Sequence, residues 1–277
     1  MSNVEQRDYW NARAPAWVRR AEAMGAFADV FAQPAMDALD PQPGWRVLDV
    51  GCGPGLTTIA LARKVAPGGE VAGADISSGM IEAATARAAN ESVDNARFFV
   101  ADAQTESLGD EYDGVFSRFG VMFFSDPDAA FANIQRALRP GGRLSVAVWA
   151  PIDHNPWMFV PTAAAAGILE AEISPPAPGQ PGPFSLSDEA RVEALLSGAG
   201  FVDIGVDPVQ ADRPIPRERG IRQLLETGPL TDKFEAADAD TQDRAIAAVT
   251  EVIEDYRTDD GWAIPGRSFT VTASRPR

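Results

Sequence analysis

The stretch Arg46-Val47-Leu48-Asp49-Val50-Gly51-Cys52-Gly53-Pro54-Gly55-Leu56 constrains this chain more than any other part of it. It reads as a short buried strand carrying an acid near its end, a turn with three glycines, and the start of a helix. Glycine accepts positive φ and lets a ligand come close where a Cβ would collide. A helix start offers N–H groups with no partner inside the helix. Together they describe a nucleotide-type ligand site at the carboxyl end of a strand.

The pattern around this turn predicts the architecture. Strands are expected at 47–50, 71–75, 97–101, 112–117 and 143–149, with helices at 56–65, 80–90 and 127–138 between them. The triplet Pro140-Gly141-Gly142 is expected to turn the chain into the fifth strand. Strand–helix alternation of this kind predicts an α/β fold with a doubly wound parallel sheet. Ahead of it, residues 4–40 carry apolar residues at helical spacing, with Pro15, Pro34 and Pro41 expected as breaks. Beyond 149 the rhythm changes: a helix over 156–172, a Pro/Gly loop over 174–183, a helix over 187–199 capped by Ser187 and ended by Gly200, and a strand over 201–206. Helices with acidic faces over 217–258 and a closing strand over 262–274 complete the reading. It divides the chain into a helical cap (1–44), a cofactor-binding core (45–150), and a part (151–277) that completes the sheet and carries a helical substrate-cap insertion at 217–258.

The glycine turn admits two ligands. A dinucleotide site has the spacing Gly-x-Gly-x-x-Gly, with pyrophosphate over the helix start. Here the third glycine comes one position early, and Asp49 stands two residues ahead of the first. A carboxylate there repels pyrophosphate and attracts an ammonium. The chemistry favours a ligand with an amino-acid end and a sulfonium over NAD.

Five blocks follow in order: VLDVGCGPG, VAGADIS, FFVADAQ, YDGVFSRFGVMFF and ALRPGGRLSVAVW. With them the chain resembles a class I S-adenosylmethionine-dependent methyltransferase, similar to the ubiquinone/menaquinone-biosynthesis group, specifically over 45–150 and more loosely outside it. The resemblance implies a Rossmann-like seven-stranded sheet, six strands parallel and one antiparallel, with a helical cap. It implies S-adenosyl-L-methionine as cofactor. Asp49, Gly51, Cys52 and Gly53 would border the methionine part, and Asp75 would take both ribose hydroxyls. Ile76 and Met80 would pack on the adenine, with Asp102 and Ala103 at its amine. Ser117 and Arg118 would face the methionine end and the methyl group.

Other residues carry two readings each. His154, the only histidine, stands just past the fifth strand, where imidazole suits a general base; a solvated loop residue is its other reading. Tyr9, Trp10 and Trp17 either cap the active site or anchor the N-terminal helices. Phe119, Met122 and Trp157, among other apolar side chains, would line the substrate pocket or pack the core. They lean toward a small or medium acceptor of apolar or aromatic character. The reaction implied is in-line methyl transfer giving S-adenosylhomocysteine. The same scaffold could instead serve a cofactor-binding protein or cyclase that transfers no methyl, and an NAD(P)-dependent oxidoreductase is disfavoured by Asp49 and the glycine spacing.

Composition narrows the partners. A net charge of −16 repels nucleic acid and anionic membrane, so neither is expected, nor is membrane insertion; a small-molecule substrate is, and a homodimer is compatible with the chain. The single cysteine allows no internal disulfide, no metal site is expected, and a cytoplasmic setting is expected, the first twenty residues showing no apolar leader core.

Overall fold

The structure, a computed structural model, describes residues 3–173, 180–218 and 220–277. It divides into two units. The first comprises Met1–Trp149, Pro178–Val209 and Ser268–Arg277; the second comprises Ala150–Ala177 and Gln210–Arg267.

The first unit begins with helices α1 (Asn3–Arg19) and α2 (Ala21–Leu39). There follow β1 (Arg46–Val50), α3 (Leu56–Val65), β2 (Glu70–Asp75), α4 (Ser78–Asn90), β3 (Ala96–Val100), β4 (Tyr112–Arg118), α5 (Pro127–Ala137) and β5 (Leu138–Trp149). After α6 (Pro156–Ala166) of the second unit come α7 (Glu189–Gly198) and the long β6 (Val202–Pro216). The second unit then holds α8 (Gly220–Thr227), α9 (Thr231–Ala236), α10 (Ala239–Val252) and the two-residue β7 (Arg257–Thr258), and β8 (Gly261–Ser274) closes the chain.

The sheet runs β3-β2-β1-β4-β5-β8-β6, with β7 paired to β8 outside that path. β1 pairs in parallel with β2 and β4, β2 with β3, and β4 with β5. β5 meets β8 antiparallel, from Arg143 opposite Ser274 to Trp149 opposite Ser268. This is the doubly wound, mostly parallel sheet with an antiparallel member that the blocks imply, with β7 added. The order reverses between β1 and β4, and the carboxyl ends of those strands open the crevice where such sheets take ligands. Val47, Leu48 and Val50 of β1 and Val71, Ala72 and Ala74 of β2 are buried, as strands covered on both faces require.

Several boundaries depart from expectation. Pro15 and Pro34 lie inside α1 and α2, and the break falls at Arg20. A mid-helix proline costs about 3 kcal/mol. The α2 face that buries Phe31, Met36 and Leu39 returns about 1.5–3 kcal/mol per side chain, so packing outweighs the lost hydrogen bond. The cap of α7 is Asp188, whose Oδ1 accepts Arg191 N–H at 2.8 Å, while Ser187 donates its hydroxyl to Phe184 O at 2.9 Å. Gly200 does end that helix, at φ 87°. The helix expected over 156–172 stops at Ala166, and the strand expected over 201–206 runs on to Pro216. Gly141, at φ 73°, bends β5 instead of preceding it. Of the Pro/Gly loop expected over 174–183, residues 174–179 lie outside the described residues. Among the described residues no helix is long and apolar enough to cross a membrane.

Candidate cofactor site

Asp49 stands at the floor of the crevice, fully buried. Its Oδ2 accepts the hydroxyls of Thr57 at 2.6 Å and Thr58 at 2.7 Å, both on the first turn of α3. Its buried Oδ1 has no hydrogen-bond partner among the described residues. Burial pushes the Asp49 pKa up, and the two threonine hydroxyls and the Arg118 charge pull it back toward the ionised form. A buried carboxylate oxygen left unmet is what a ligand ammonium would satisfy.

The turn above it is tied down on one side and open on the other. Gly51 and Cys52 donate their N–H groups to Ala74 O at 2.8 and 3.1 Å, which holds the turn against β2. A Cβ on Gly51 would come within 2.9 Å of the Gly120 Cα, so two backbones touch there. Gly53 is different: at φ 53°, a Cβ on it would meet nothing within 4 Å. That open face leaves room for a ligand to lie against the backbone.

Asp75 ends β2. Its carboxylate accepts Gly53 N–H and Ser77 N–H, both at 2.9 Å. Burial raises its pKa to about 6 against those two hydrogen bonds, with the Asp49 charge adding to the rise. Cys52 lies between these carboxylates in effect: burial, then Asp75 and Asp49, push its thiol up. It is a neutral packing residue at physiological pH. Ile76 is half-buried and Met80 buried, its N–H capped by the Ser77 hydroxyl at 3.3 Å.

The loop after β3 is held by its own hydrogen bonds. Asp102 Oδ1 accepts Gln104 N–H at 2.9 Å and the Gln104 side-chain amide at 3.1 Å, and Asp102 N–H goes to Glu106 at 2.8 Å. The Asn133 amide donates to Ala103 O at 2.9 Å. At the end of β4 the buried Ser117 hydroxyl donates to Val50 O at 2.6 Å and accepts Gly120 N–H at 3.2 Å. Its work is to lock β4 to the end of β1. Arg118 reaches the α2 helix instead, at Asp29 (2.5 Å) and Gly25 O (3.5 Å). Phe119 sits at φ 59°, an uncommon conformation for a bulky residue, and stacks on Trp149 at 4.1 Å and 6°.

The aromatics of α1 form a chain of edge contacts, Tyr9 to Trp10, Trp10 to Trp17, and Trp10 to Phe123 at 5.0 Å. Met122 is buried in the first unit, its sulfur accepting Trp149 N–H at 3.4 Å. His154 and Trp157 belong to the second unit. His154 is exposed at the end of a short 3-10 turn, and Trp157 is buried with its indole N–H donated to Asn155 at 2.9 Å. So the first unit brings Asp49, Gly51, Cys52, Gly53, Asp75 and the Asp102 loop to one row of strand ends.

Sequence reading missed the residues that hold these groups in place. Thr57 and Thr58 follow the glycine turn directly, and two hydroxyls at a helix start behind a buried acid were the available signal. Gln104 shapes the Asp102 loop and carries the Asp126 N–H at 2.7 Å. Asn11 accepts the Ser77 hydroxyl at 2.8 Å from helix α1, a contact across 66 residues that no local pattern announces.

These features fit the cofactor that the five blocks imply: an unmet carboxylate oxygen for an ammonium, an open glycine for close approach, and a second carboxylate one strand over for a diol. Comparison with known proteins agrees. A family described as a methyltransferase domain matches residues 47–142. Trans-aconitate 2-methyltransferase of Deinococcus radiodurans is 33% identical over 187 residues, 64% of this chain and 67% of that protein. Nocamycin O-methyltransferase of Saccharothrix syringae is 29% identical over 61% of this chain and 63% of its own length. With several other curated relatives the match spans between 31% and 50% of their length. Among solved structures, a Haemonchus contortus phosphoethanolamine N-methyltransferase in complex with S-adenosyl-L-methionine superposes with a TM-score of 0.53 at 23% identity, covering 88% of this chain and 52% of that one. At that identity the likeness is one of fold.

Proposed function

Because the chain belongs to the class I S-adenosylmethionine-dependent methyltransferases, we propose that it transfers a methyl group to an oxygen of a small or medium-sized acceptor of apolar or aromatic character. The observation that carries the reading is the buried, unmet Oδ1 of Asp49, at the end of the strand that leads into the glycine turn with its open Gly53. S-adenosylmethionine, when bound, supplies a methyl group activated by its sulfonium.

The residues of the chain do the rest by placement. Asp49 accepts the ammonium of the amino-acid end, Gly53 gives it backbone room, and Asp75 takes the ribose diol in its ionised form. Asp102 and Ala103 border the adenine. Phe119, held in its strained conformation against Trp149, offers the acceptor an apolar ring just past the end of β4. Holding two reactants close and aligned supplies several kcal/mol of rate enhancement without acid–base help. An acceptor hydroxyl of ordinary pKa also needs its proton removed.

Support for oxygen comes from the relative named as an O-methyltransferase, and support for an apolar acceptor from the Phe119–Trp149 stack. The test is incubation of the purified protein with S-adenosylmethionine and a panel of phenolic, enolic and carboxylic acceptors, with S-adenosylhomocysteine and methylated product read by mass spectrometry. Acceptor-dependent release with an O-methyl product supports the reading. Release only with amine or thiol acceptors, or tight cofactor binding with no release across the panel, contradicts it.

A further inference from the structure

Helix α1 crosses the carboxyl ends of three strands. Its Asn11 meets the Ser77 hydroxyl just beyond β2 at 2.8 Å, its Arg7 meets Glu106 beyond β3 at 3.6 Å, and its Trp10 ring meets Phe123 beyond β4 at 5.0 Å. Ala14 comes close to Gly79 at the start of α4, where an added Cβ would lie 3.0 Å from the Ala14 Cβ. The helix therefore roofs the half of the crevice that runs from Asp75 to Asp102.

Gln6 shares the face of α1 that carries Trp10, one turn on. It is 3% exposed, and both its amide oxygen and its amide nitrogen are buried without a hydrogen-bond partner among the described residues. An unmet buried polar atom costs about 1–3 kcal/mol, and a carboxamide contributes two. A leucine or methionine would fill the same space at no such cost. The exceptions to hydrogen-bond satisfaction in folded proteins call for a reason, and a ligand that completes the pair is the one this position offers.

We propose that Gln6 reads the adenine of the cofactor, its carboxamide forming a two-point hydrogen bond with the amino group and N7, so that α1 is the lid that selects adenine. Adenine displays a donor beside an acceptor on each hydrogen-bonding edge, and a carboxamide, with one acceptor and one donor side by side, matches that pattern. Hypoxanthine, with an oxo group in place of the amine, shows two acceptors on its N7 edge and cannot match a carboxamide there. The proposal rests on the cofactor reading above.

The experiment is calorimetric titration of S-adenosylhomocysteine and its 6-oxo analogue, S-inosylhomocysteine, into wild-type protein, Gln6→Leu and Gln6→Glu, with the ligand-free melting temperature of each. Wild type is expected to prefer the adenine ligand. Gln6→Leu is expected to bind it about tenfold more weakly, with the preference over the 6-oxo ligand reduced by the same factor. Its ligand-free melting temperature should stay level or rise, since two unmet polar atoms are gone; a purely structural glutamine would give a fall. Gln6→Glu keeps the shape, loses the donor, and should also lose affinity. An unchanged preference in Gln6→Leu, or a lower ligand-free melting temperature with unchanged binding, overturns the role of Gln6 while leaving the cofactor reading intact. Failure of wild type to bind S-adenosylhomocysteine at all overturns the cofactor reading itself.

Discussion

The carboxylate of Asp75 accepts the backbone N–H of Gly53 at 2.9 Å, joining the end of the second strand to the glycine turn of the first across 22 residues of sequence. The acid assigned to the ribose and the glycine assigned to the methionine end are thus one hydrogen-bonded unit before any ligand arrives.

Protonation of Asp75 should weaken ligand binding. Its pKa stands near 6, raised by burial from 3.8, and a protonated acid accepts poorly from a diol. Affinity for S-adenosylhomocysteine is expected to fall as pH drops through 6, and calorimetry from pH 5 to 8 reads it. Stability without ligand goes the other way. A raised folded pKa means that protonation favours the fold, so this residue's contribution is fully present below 3.8 and is lost as pH rises through 6. Asp75→Asn should flatten both profiles; an unaltered binding profile would remove Asp75 from the site.

The two glycines should separate fold from ligand. Gly51→Ala places a Cβ 2.9 Å from the Gly120 backbone at φ 69°, and a loss of about 1–3 kcal/mol in urea unfolding is expected. Gly53→Ala has open space at φ 53° and should cost stability only about 1 kcal/mol. Its larger effect should be on cofactor affinity. Equal binding by Gly53→Ala and wild type would place the ligand elsewhere.

Thr57 and Thr58 pull the Asp49 pKa down against the burial that raises it. Removing both hydroxyls in a Thr57→Val/Thr58→Val pair leaves burial as the dominant influence and drives the carboxylate further toward its neutral form. S-adenosylhomocysteine affinity should fall by about tenfold or more, since hydrogen bonds to charged groups are worth about 1.5–3 kcal/mol. Binding at wild-type strength would show that Asp49 needs neither hydroxyl.

The fold of the cofactor-binding part and the cofactor itself were legible, and the reason is local. The turn, the acids ending β1 and β2 and the loop after β3 each sit within a few residues of a strand end, so strand periodicity alone aligns them. What was not legible depends on distant partners. Pro15 and Pro34 looked like helix breaks because a proline's cost is local, whereas the buried face of α2 that offsets it is assembled from the whole core. The Ser117 hydroxyl bonds Val50 O, 67 residues away, a pairing only the β1–β4 register creates. Gln6 carried no signal at all, because its meaning lies in the absence of partners around a buried amide.

The α7 cap is a smaller test of the fold itself. Asp188→Ala removes the acceptor of Arg191 N–H and should lower stability by about 1 kcal/mol, which moves the melting temperature by about 2–4 °C in a chain of this size. Ser187→Ala should move it less. The reverse order would return the cap to Ser187.

The central claim is that the crevice at the ends of β1 and β2 takes S-adenosylmethionine through Asp49 and Asp75. Thermal unfolding of wild type and Asp49→Ala with S-adenosylhomocysteine or NAD tests it most directly. Wild type should gain about 2.7 kcal/mol at a hundredfold excess of S-adenosylhomocysteine over its dissociation constant, NAD should give no shift, and Asp49→Ala should lose most of the gain. Stabilisation by NAD alone, or an equal shift in Asp49→Ala, would contradict it.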